Sequence, residues 1–452
     1  MDFKGKRVLV VGLGKSGVSA ALYLRKLGAR VTVSDSRPGE ALAKEIPALL
    51  DAGVMVESGG HGVLTFRRQD LIVLSPGVPL STPEVQQSQR FGVPIIGEVE
   101  LASLALQGKI IAITGSNGKT TTTSLVGHIL LHANYETKIG GNIGLPVVEM
   151  VEGSTEKTWS VLEVSSFQLE TIETFRPHIA AVLNITPDHL DRHGSFENYA
   201  AAKARITENQ TPEDFLVLNA EDKPTQMVAA KTKAQIFWFS GVRRVKQGAF
   251  AHNDGIYFIT KEGGTPEPIM PLAEIPLRGA HNVENVLAAI AMAKLAGIAT
   301  DEIREAVASF TAVDHRLQFV AKKRGVEYYN DSKATNVDAT IKALESFPSG
   351  IRIILGGKDK ASDYTQLLPL LKERTVAVYT IGMAADIIAK QIGDQVKLTP
   401  AGTLSEAVRL ASESAQPGET VLLAPACASF DQFTSYEHRG RVFVELVQNL
   451  PE

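Results

Sequence analysis

One stretch of the sequence combines a glycine turn, a lysine and threonines in the order that binds a nucleoside triphosphate. Residues 113–122 read Ile-Thr-Gly-Ser-Asn-Gly-Lys-Thr-Thr-Thr. In such a loop the lysine, here Lys119, reaches the β- and γ-phosphates, and the next hydroxyl, here Thr120, binds Mg²⁺. The standard pattern has its first glycine where this chain has Ile113, and the glycine falls at Gly115 instead. We nevertheless expect ATP and Mg²⁺ here, because a strand-like run precedes the loop and a helix-like run follows it.

A second glycine-rich loop lies near the start of the chain. Gly12-Leu-Gly-Lys-Ser-Gly17 follows a strand-like run and opens a helix-like run, and Asp35 ends the next predicted strand. Glycines at this spacing let the backbone approach a pyrophosphate, and the helix N-terminus supplies unpaired N–H groups. The loop therefore predicts a nucleotide diphosphate without saying which one. NAD is the default interpretation, and a tight turn without any ligand is the alternative.

The presence of both loops bears on the class of enzyme. A dehydrogenase needs one dinucleotide site and no ATP loop. An enzyme that holds one nucleotide and activates a substrate with ATP needs two phosphate-binding loops. The pair therefore disfavours a plain dehydrogenase.

Further metal-type side chains follow predicted strands in the middle of the chain. Glu163 ends one such strand, and the polar run 184–193 after another strand contains His189 and His193. The carboxyl ends of parallel strands meet at a ligand crevice, and histidines four residues apart can suit zinc. Spacing alone favours plainer interpretations: a strand-end acid, a polar loop that starts a helix, and, at Lys203, a solvated helix lysine.

The elements that must position these residues alternate between strand and helix. Runs rich in β-branched residues, bounded by Gly, Pro or Asp, alternate with helical-period segments, and the pattern restarts twice. This predicts the α/β class with mostly parallel sheets. The first block is expected to end with a strand at 70–74 and a linker at 91–94, and 235–277 is expected to form hairpins. The predicted domains are 1–96, 97–312 and 313–452.

Composition excludes several classes of protein. The chain has 452 residues, with 46 Lys and Arg against 50 Asp and Glu, so its net charge is -4. A nucleic-acid or anionic-membrane binder needs a basic excess, and both are disfavoured. The single cysteine, Cys427, excludes an intramolecular disulfide and a zinc–thiolate cluster. The first residues lack the apolar core of a signal peptide, and we expect a cytoplasmic monomer.

Four motifs taken together resemble those of the Mur ligase family, the ATP-dependent amide ligases of peptidoglycan precursor synthesis. They are Gly115-Ser-Asn-Gly-Lys-Thr-Thr121, Glu163-Val-Ser-Ser-Phe-Gln-Leu-Glu170, Asn184-x-x-Pro-Asp-His-Leu-Asp191 and His281-Asn-x-x-Asn285. Two further stretches resemble those of the members that add D-glutamate. They are Asn330-Asp-Ser-Lys-Ala-Thr-Asn336 and Pro425-Ala-Cys-Ala-Ser-Phe-Asp-Gln432. The resemblance covers all three blocks in order.

The resemblance implies a fold and a reaction. The first domain would be Rossmann-like and bind a UDP-linked substrate, the second would be an ATP-binding domain of the P-loop ATPase type, and the third would be Rossmann-like and bind the amino acid. The implied reaction adds D-glutamate to UDP-N-acetylmuramoyl-L-alanine through an acyl phosphate, giving ADP and phosphate. The first glycine loop would then hold UDP and not NAD.

The resemblance also implies a role for each matching residue. ATP would be bound by Gly115, Ser116, Asn117, Gly118, Lys119, Thr120, Thr121, Asn282, Asn285, Arg316 and Asp331. Mg²⁺ would be held by Thr120, Glu163, His189 and a carbamylated Lys203, and the catalytic residues would be Lys119, His189 and Lys203. The UDP-linked substrate would contact Gly14, Lys15, Ser16, Asp35, Ser36, Arg37, Gly77, Asn142 and Gln168. D-glutamate would contact Lys333, Thr335, Lys360, Ser429 and Phe430.

Three alternatives stay open on the sequence alone. Another Mur ligase or a folylpolyglutamate-type ligase would use a different amino acid. An NAD-dependent dehydrogenase would bind NAD at the first glycine loop. A P-loop ATPase or regulatory module would hydrolyse ATP without forming an amide.

Overall fold

A computed structural model gives the structure of residues 2–311 and 314–451. The chain divides into two compact units, Met1–Met270 with Leu287–Ala306 and Pro271–Val286 with Val307–Glu452. The described residues form three sheets separated by helices, so the predicted α/β class is confirmed. The division predicted at 96 falls inside a strand, and the division predicted at 312 lies outside the described residues. Among the described residues, no helix is both long enough and apolar enough to cross a membrane.

The first sheet has five parallel strands in the order β3-β2-β1-β4-β5. Its strands are β1 (Arg7–Val11), β2 (Arg30–Asp35), β3 (Met55–Ser58), β4 (Leu71–Leu74) and β5 (Ile95–Gly97). Its helices are α1 (Lys15–Lys26), α2 (Ile46–Asp51), α3 (Val63–Arg67), α4 (Pro83–Arg90) and α5 (Glu98–Ser103), with a 3₁₀ turn at Gly39–Leu42. The prediction that this sheet ends at 70–74 is wrong, because β5 pairs with β4. A three-residue strand directly after a turn-rich segment carries too few apolar positions to be recognised.

The second sheet has nine strands in the order β14-β13-β12-β11-β10-β9-β6-β8-β7. Its strands are β6 (Lys109–Thr114), β7 (Thr137–Gly141), β8 (Trp159–Glu163), β9 (Ile179–Val182), β10 (Phe215–Asn219), β11 (Gln235–Ser240), β12 (Gly248–His252), β13 (Gly255–Ile259) and β14 (Glu267–Pro271). The expected hairpin is confirmed for β12 and β13, which pair antiparallel. It is wrong for β11, which pairs parallel with both β10 and β12.

Eight helices follow the strands of this part of the chain. They are α6 (Lys119–His132), α7 (Val147–Val151), α8 (Ser166–Leu169), α9 (Leu190–His193), α10 (Phe196–Ala204), α11 (Lys223–Ala229), α12 (Ala280–Leu295) and α13 (Thr300–Ser309). The 3₁₀ turns are Arg205–Thr207 and Leu272–Glu274. Parallel strands need such crossovers, and their carboxyl ends collect the loops that bind ligands.

The third sheet lies in the second unit and has six strands in the order β15-β16-β20-β17-β18-β19. Its strands are β15 (Gln318–Lys323), β16 (Val326–Asn330), β17 (Ile351–Gly356), β18 (Thr375–Ile381), β19 (Leu398–Gly402) and β20 (Thr420–Leu423). Its helices are α14 (Val337–Glu345), α15 (Leu368–Arg374), α16 (Ala385–Ile392), α17 (Leu404–Ser414) and α18 (Tyr436–Gln448), with 3₁₀ turns at Tyr364–Leu367 and Gly393–Gln395. Only β15 runs antiparallel to its neighbour.

Apolar side chains cover both faces of the central strands. In the third sheet, Ile353 and Leu355 of β17 belong to one buried cluster, and Ile354 between them belongs to the cluster on the other face. This alternation follows from the two-residue repeat of a strand, and it explains why β17, apart from Arg352, carries apolar residues toward both faces. In the first unit, one buried cluster runs from Val8 in the first sheet to Leu162 in the second.

Two buried acids of α5 attach the first sheet to loops of the second. The Glu100 carboxylate accepts hydrogen bonds from the backbone amides of Glu173, Thr174 and Phe175 at 2.8–2.9 Å. Glu98 accepts the amide of Val148 through Oε1 at 2.8 Å, and its buried Oε2 has no hydrogen-bond partner among the described residues. Desolvation raises the pKa of Glu98 to about 7.

Candidate active site

The loop between β6 and α6 has the backbone of a phosphate cradle. Gly118 has a φ of +83° and Gly115 one of +156°, and a Cβ at Gly115 would stand 3.1 Å from the Cβ of Leu183. A side chain would therefore strain the backbone at both positions. Lys119 and Thr120 open α6, where the first amides of the helix point back toward the loop. The Lys119 ammonium donates to the carbonyl oxygens of Gly115 (2.8 Å) and Ser116 (2.9 Å).

Polar side chains from the β9 end hold this loop in shape. Asn184 accepts the Asn117 amide through Oδ1 at 2.8 Å and donates to the Asn117 carbonyl through Nδ2 at 3.1 Å. The hydroxyl of Ser116 lies 2.9 Å from both the carbonyl oxygen and the amide nitrogen of Thr186, and 3.0 Å from the hydroxyl of Tyr199. The cradle is thus ordered by its own protein contacts.

Two oxygen groups face each other beside the cradle. The Thr120 hydroxyl donates to Glu163 Oε2 at 2.6 Å, and Asn142 Nδ2 donates to Glu163 Oε1 at 2.7 Å. Glu163 ends β8, Thr120 follows β6 and Asn142 follows β7, so neighbouring parallel strands bring them together. Glu163 is buried. Its position at the carboxyl edge, where the sequence placed a strand-end acid, puts a carboxylate next to the phosphate loop.

Lys203 is the buried cation of this site. Its side chain is 1% exposed, and its Nζ donates to the carbonyl oxygen of Gly115 at 2.8 Å. Desolvation lowers the pKa of Lys203 well below its usual value, and the charge of Lys119 lowers it further. The interpretation of Lys203 as a solvated helix lysine, which spacing alone favoured, is therefore wrong. Helix α10 packs with this side chain buried against the loop. The ring of Tyr199, one turn earlier on α10, lies 4.7 Å from Nζ.

The two histidines of the segment after β9, His189 and His193, have different environments. His189 has a φ of +52°, its ring packs edge-on against Phe167 with centroids 5.0 Å apart, and its Nε2 lies 3.6 Å from Asp188 Oδ2. His193 is buried, with Nε2 3.0 Å from the Ser166 hydroxyl and Nδ1 3.2 Å from a Glu170 oxygen. Both ring nitrogens of His193 are thus engaged, which opposes the zinc pair that the spacing allows.

The oxygen groups beside the cradle suit a divalent cation that also binds phosphate. The described residues contain no group of three or more His, Cys, Asp or Glu that could hold a metal by itself. Mg²⁺ does not need such a group, because it keeps several waters and phosphate oxygens and takes one or two oxygen ligands from the protein. The adjacent oxygens of Thr120 and Glu163 supply that number beside a phosphate cradle. The site therefore fits Mg²⁺ bound together with nucleotide phosphates.

The first glycine loop is held by Asp35. Its Oδ2 accepts the Leu13 amide at 2.7 Å, and the Arg37 side chain and amide donate to both carboxylate oxygens at 2.8–3.0 Å. Burial alone would raise the pKa of Asp35, but the hydrogen bonds from Arg37 and Leu13 lower it to about 2. A Cβ at Gly17 would stand 1.9 Å from the Gly12 carbonyl oxygen, so helix α1 can pack here only with glycine. Asp35 thus holds the loop in shape, and the charged Arg37 side chain next to Asp35 is half-exposed.

The other residues predicted for the UDP-linked substrate lie at two neighbouring edges. Seven of these residues lie at the carboxyl ends of three adjacent strands, and so at one edge of the first sheet. Gly14, Lys15 and Ser16 come after β1, Asp35 ends β2 and is followed by Ser36 and Arg37, and Gly77 comes after β4. Lys15 donates to the Gly144 carbonyl of the second sheet at 2.6 Å. Arg192 donates to the carbonyls of Pro76 (2.8 Å) and Val78 (3.3 Å), which flank Gly77. Asn142 stands beside Glu163, whereas Gln168 is buried and its amide oxygen accepts the Ser165 amide at 2.9 Å in a capping box.

The remaining predicted nucleotide contacts lie in the second unit. Asn282 and Asn285, one turn apart on α12, are joined by a hydrogen bond of 3.0 Å from Asn285 Nδ2 to Asn282 Oδ1. Asp331 follows β16 and accepts the amide of Leu317 at 3.3 Å. Desolvation raises the pKa of Asp331 to about 7, against the opposing charge of Arg316.

The residues predicted for D-glutamate also lie in the second unit, on loops after three adjacent strands. Lys333 and Thr335 follow β16, Ser429 and Phe430 follow β20, and Lys360 follows β17. The Lys333 ammonium lies 3.8 Å from the ring centre of Tyr436, Ser429 is buried, and Phe430 is 68% exposed.

Sequence reasoning missed several residues of the site. Asn184 and Tyr199 order the cradle, and Arg192 joins the loop after β9 to the loop that carries Gly77. Tyr199 and Lys203 are four residues apart on one helix face, and that spacing is the signal that could have found the pair. No local pattern marks Arg192, whose partners are distant in the chain.

Comparison with protein-family models matches three consecutive parts of the chain. Residues 6–97 match the Mur ligase MurD-like N-terminal domain, 113–293 match the Mur ligase middle domain, and 315–427 match the Mur ligase glutamate ligase domain. These ranges contain all the sequence-predicted site residues except Ser429 and Phe430, which follow the last range directly.

Relatives with similar sequences extend over the whole chain. The UDP-N-acetylmuramoylalanine–D-glutamate ligase of Acidobacterium capsulatum is 63% identical over 447 residues, which is 99% of this chain and 97% of that protein. The ligase of the same name from Koribacter versatilis is 58% identical over 452 residues, covering 100% and 99%.

Solved structures of more distant proteins share the fold. The UDP-N-acetylmuramate-alanine ligase MurC of Thermotoga maritima gives a TM-score of 0.61 at 21% identity, covering 98% of this chain and 99% of that one. The MurF ligase of the same organism, solved in complex with ADP, gives a TM-score of 0.60 at 16% identity, covering 99% and 97%.

Proposed function

The chain belongs to the Mur ligase family and is an ATP-dependent ligase of peptidoglycan synthesis, and we propose that it joins D-glutamate to UDP-N-acetylmuramoyl-L-alanine. The names of relatives that match the chain from end to end support these two substrates. The products are the amide, ADP and phosphate. We place the reaction in the cytoplasm and assign it to a monomer with three functional domains, 1–96, 97–312 and 313–452.

One observation carries the chemical part of the proposal. Four groups suited to phosphoryl transfer converge on the loop before α6: the Lys119 ammonium, the Thr120 hydroxyl, the Glu163 carboxylate and the Lys203 amine. A loop that only binds ATP needs the first two. A buried lysine and an acid at the neighbouring strand end supply additional ligands where a second anion must approach the triphosphate.

The reaction runs in two steps. An oxygen of the alanyl carboxylate attacks the γ-phosphorus, the bond between that phosphorus and the β–γ bridging oxygen breaks, and ADP leaves. The amine nitrogen of D-glutamate then bonds to the carbonyl carbon of the acyl phosphate, the carbon–oxygen bond to phosphate breaks, and the amine gives up a proton. Lys119 lies where it can stabilise the charge that develops on the transferred phosphoryl group.

Metal binding is assigned to the groups beside the cradle. Thr120 and Glu163 would hold Mg²⁺ with the phosphates, and His189 and Lys203 would contribute further ligands. When bound, Mg²⁺ neutralises charge between the triphosphate and the incoming carboxylate. The chain holds both protein oxygens in place through hydrogen bonds, since Asn142 fixes the other oxygen of Glu163.

Lys203 is proposed to act as a carbamate. Burial favours the uncharged amine, and the uncharged amine is the form that bonds to carbon dioxide and then loses a proton to give a carbamate. The change replaces a cation by an anionic oxygen group that can ligate Mg²⁺. The Gly115 carbonyl and the Tyr199 ring hold the end of this side chain in place.

The remaining contacts are assigned by position. In the ATP loop, Gly115, Ser116, Asn117, Gly118, Lys119, Thr120 and Thr121 would surround the phosphates, and Asn282, Asn285, Arg316 and Asp331 would complete the nucleotide site. The UDP-linked substrate would bind Gly14, Lys15, Ser16, Asp35, Ser36, Arg37, Gly77, Asn142 and Gln168. D-glutamate would bind Lys333, Thr335, Lys360, Ser429 and Phe430. The substrate sets are supported by their placement at the carboxyl ends of adjacent strands or on the helices that follow them, whereas Arg316 precedes β15.

The test is product formation with each candidate amino acid in turn. The purified chain, ATP, Mg²⁺ and UDP-N-acetylmuramoyl-L-alanine are mixed with D-glutamate, L-glutamate, L-alanine, L-lysine or diaminopimelate, and phosphate release and the mass of the amide are measured. We expect amide only with D-glutamate, in a one-to-one ratio with phosphate. Amide formation with another amino acid would assign a different ligase activity, and phosphate release without amide would contradict the proposal.

A further inference from the structure

A fully buried arginine lies under the loops of the third sheet. Arg439 of α18 is 0% exposed. Its Nε donates to the Ser332 hydroxyl at 2.9 Å and its Nη2 to the Ser332 carbonyl at 2.7 Å. Its Nη1 donates to the carbonyls of Cys427 (3.1 Å) and Ala428 (3.4 Å). The planar guanidinium therefore spans two loops that are far apart in the chain.

Three loops meet at this guanidinium. We name them the β16 loop (331–336), the β17 loop (357–363) and the β20 loop (424–435). The β16 and β20 loops accept its hydrogen bonds, and in the β17 loop a Cβ added to Gly357 would stand 3.2 Å from Nη1. The order β16-β20-β17 in the sheet explains why these loops are neighbours.

The same loops are also bonded to one another. The backbone of Lys358 in the β17 loop pairs with Ala428 in the β20 loop through two hydrogen bonds of 2.8 and 3.1 Å. The Ala426 amide donates to the Ala334 carbonyl of the β16 loop at 2.9 Å. A shift of any one loop therefore moves the others, and Arg439 fixes the point where they join.

The charge of Arg439 has no acid at hydrogen-bond distance. All four acceptors of its hydrogen bonds in the described part of the chain are neutral: one serine hydroxyl and three backbone carbonyls. Asp431 attracts it from farther away, and desolvation lowers the pKa of Arg439 only to about 10, so it remains charged at neutral pH. Burying a cation without a paired anion is costly, and a neutral side chain could fill the same volume. The positive charge at the carboxyl edge is consistent with binding an anion there.

We infer that Arg439 is a positioning residue of the amino-acid site, holding the three loops in register and adding a buried positive charge beneath the place where a dicarboxylic amino acid binds. The inference rests on the proposed function, because Lys333, Thr335, Lys360, Ser429 and Phe430, which are proposed to contact D-glutamate, are carried by these loops. Arg439 acts through the loops and does not touch the substrate.

A second buried arginine provides a matched control. Arg352 on β17 is 5% exposed, and its Nε donates to Glu419 at 2.6 Å. Its Nη1 donates to Tyr379 and Ser414. Arg352 stands near the start of β17, at the opposite edge of the sheet from the loops. A lysine at either position keeps the charge and removes the planar fork, so the pair separates an effect on the loops from a general loss of packing.

The experiment measures the KM for each substrate and kcat in the full-length wild type, Arg439→Lys, Arg352→Lys and Ser332→Ala. We expect Arg439→Lys to raise the KM for D-glutamate about tenfold, while the KM for ATP and for the UDP-linked substrate changes less than about twofold. Ser332→Ala removes one acceptor of the guanidinium and should raise the same KM about threefold. Arg352→Lys should lower the melting temperature and leave the KM for D-glutamate unchanged.

The outcomes separate this inference from the proposed function. If the wild type makes no amide with D-glutamate, the proposed function fails. If the wild type is active and the KM for D-glutamate is unchanged in Arg439→Lys, or rises equally in Arg352→Lys, the positioning role is refuted. Should Arg439→Lys not fold, Ser332→Ala decides alone, and an unchanged KM in that variant refutes the role.

Discussion

Lys119 and Lys203 donate hydrogen bonds to the same carbonyl oxygen, that of Gly115, each at 2.8 Å. Two ammonium groups that share one acceptor repel each other, and the buried group is the one that loses its proton more easily. The structure thus separates the roles of the two lysines. Under the proposed function, Lys119 contacts the phosphates and Lys203 is the amine that is modified.

Replacing Lys203 tests the carbamate. Lys203→Ala should lose activity because the oxygen ligand is absent, and a small carboxylate such as formate or acetate should restore part of it by occupying the space left by the side chain. The measurement is the rate of phosphate release with increasing carboxylate. Lys119→Ala is the control, because a carboxylate cannot replace a cation there. Equal recovery in both variants, or none in Lys203→Ala, would argue against the carbamate.

Replacing Lys119 tests its electrostatic role. Lys119→Ala should lower kcat about 100- to 1000-fold, because a single preorganised group facing the transferred phosphoryl contributes about that much. Steady-state ADP formation measures the effect. Lys44→Ala, at an exposed position between β2 and β3, is the control and should behave as the wild type. A loss of less than about tenfold in Lys119→Ala would contradict the role.

The hydrogen bond between Thr120 and Glu163 links metal binding to the loop. Thr120→Val keeps the shape of the side chain and removes the hydroxyl, so we expect the Mg²⁺ concentration for half-maximal activity to rise about tenfold. Mg²⁺ titration at saturating ATP measures this shift. Thr123→Val is the comparison, because Thr123 is a buried threonine of the same helix whose hydroxyl has no hydrogen-bond partner among the described residues. An equal shift in both variants would show that the Thr120 hydroxyl has no special part.

Glu98 should make stability depend on pH near neutrality. Its folded pKa, about 7, lies above the unfolded value of 4.5, so the folded state binds more protons between these values and loses stability as pH rises. Glu98→Gln cannot ionise, and its melting temperature should match the wild type near pH 5 and exceed it by several degrees near pH 8.5. Thermal unfolding at the two pH values measures this, and a difference that does not grow with pH would contradict the burial argument.

Asp35 should make the folded state less stable as the pH is lowered, the opposite of Glu98. Its folded pKa, about 2, lies below the unfolded value of 3.8, so its stabilising effect is complete above pH 4 and is lost as pH falls toward 2. Asp35→Asn should lower the melting temperature at pH 7, and the difference from the wild type should narrow between pH 4 and pH 2. It should also weaken UDP binding, since one of the two oxygens that accept hydrogen bonds from Arg37 and the Leu13 amide becomes an NH₂ donor. A gap that stays constant with pH would mean that the ionised carboxylate is not what orders the loop.

Local patterns predicted the parts of the fold that depend on local physics. The two glycine loops and the buried strands next to them, such as β2 and β6, were found because turn chemistry and apolar runs are visible in a short window. The edge strands β3 and β19 were missed, because partly exposed strands lack such runs. Their assignment depends on the neighbouring strand with which each one pairs.

The site residues also divide into those that local spacing identifies and those whose environment depends on tertiary packing. The spacing around Lys119 identified a phosphate loop without any knowledge of distant contacts. The burial of Lys203 depends on how α10 packs against a loop almost ninety residues earlier, and the engagement of Asp35 by Arg37 depends on the shape of a turn. Spacing alone favoured a solvated lysine at position 203. Charges acquire unusual environments through tertiary packing, which a sequence window does not contain.

The Glu100 carboxylate accepts hydrogen bonds from three consecutive backbone amides, those of residues 173–175. This contact limits which fragments of the chain can fold on their own. A fragment that stops at residue 96 ends inside β5 and lacks Glu100. It would leave β4 as an incompletely paired edge strand, and such edges promote aggregation. A piece that ends at Phe175 keeps the contact but lacks β9, the parallel partner of β6, so nucleotide titrations require the whole polypeptide.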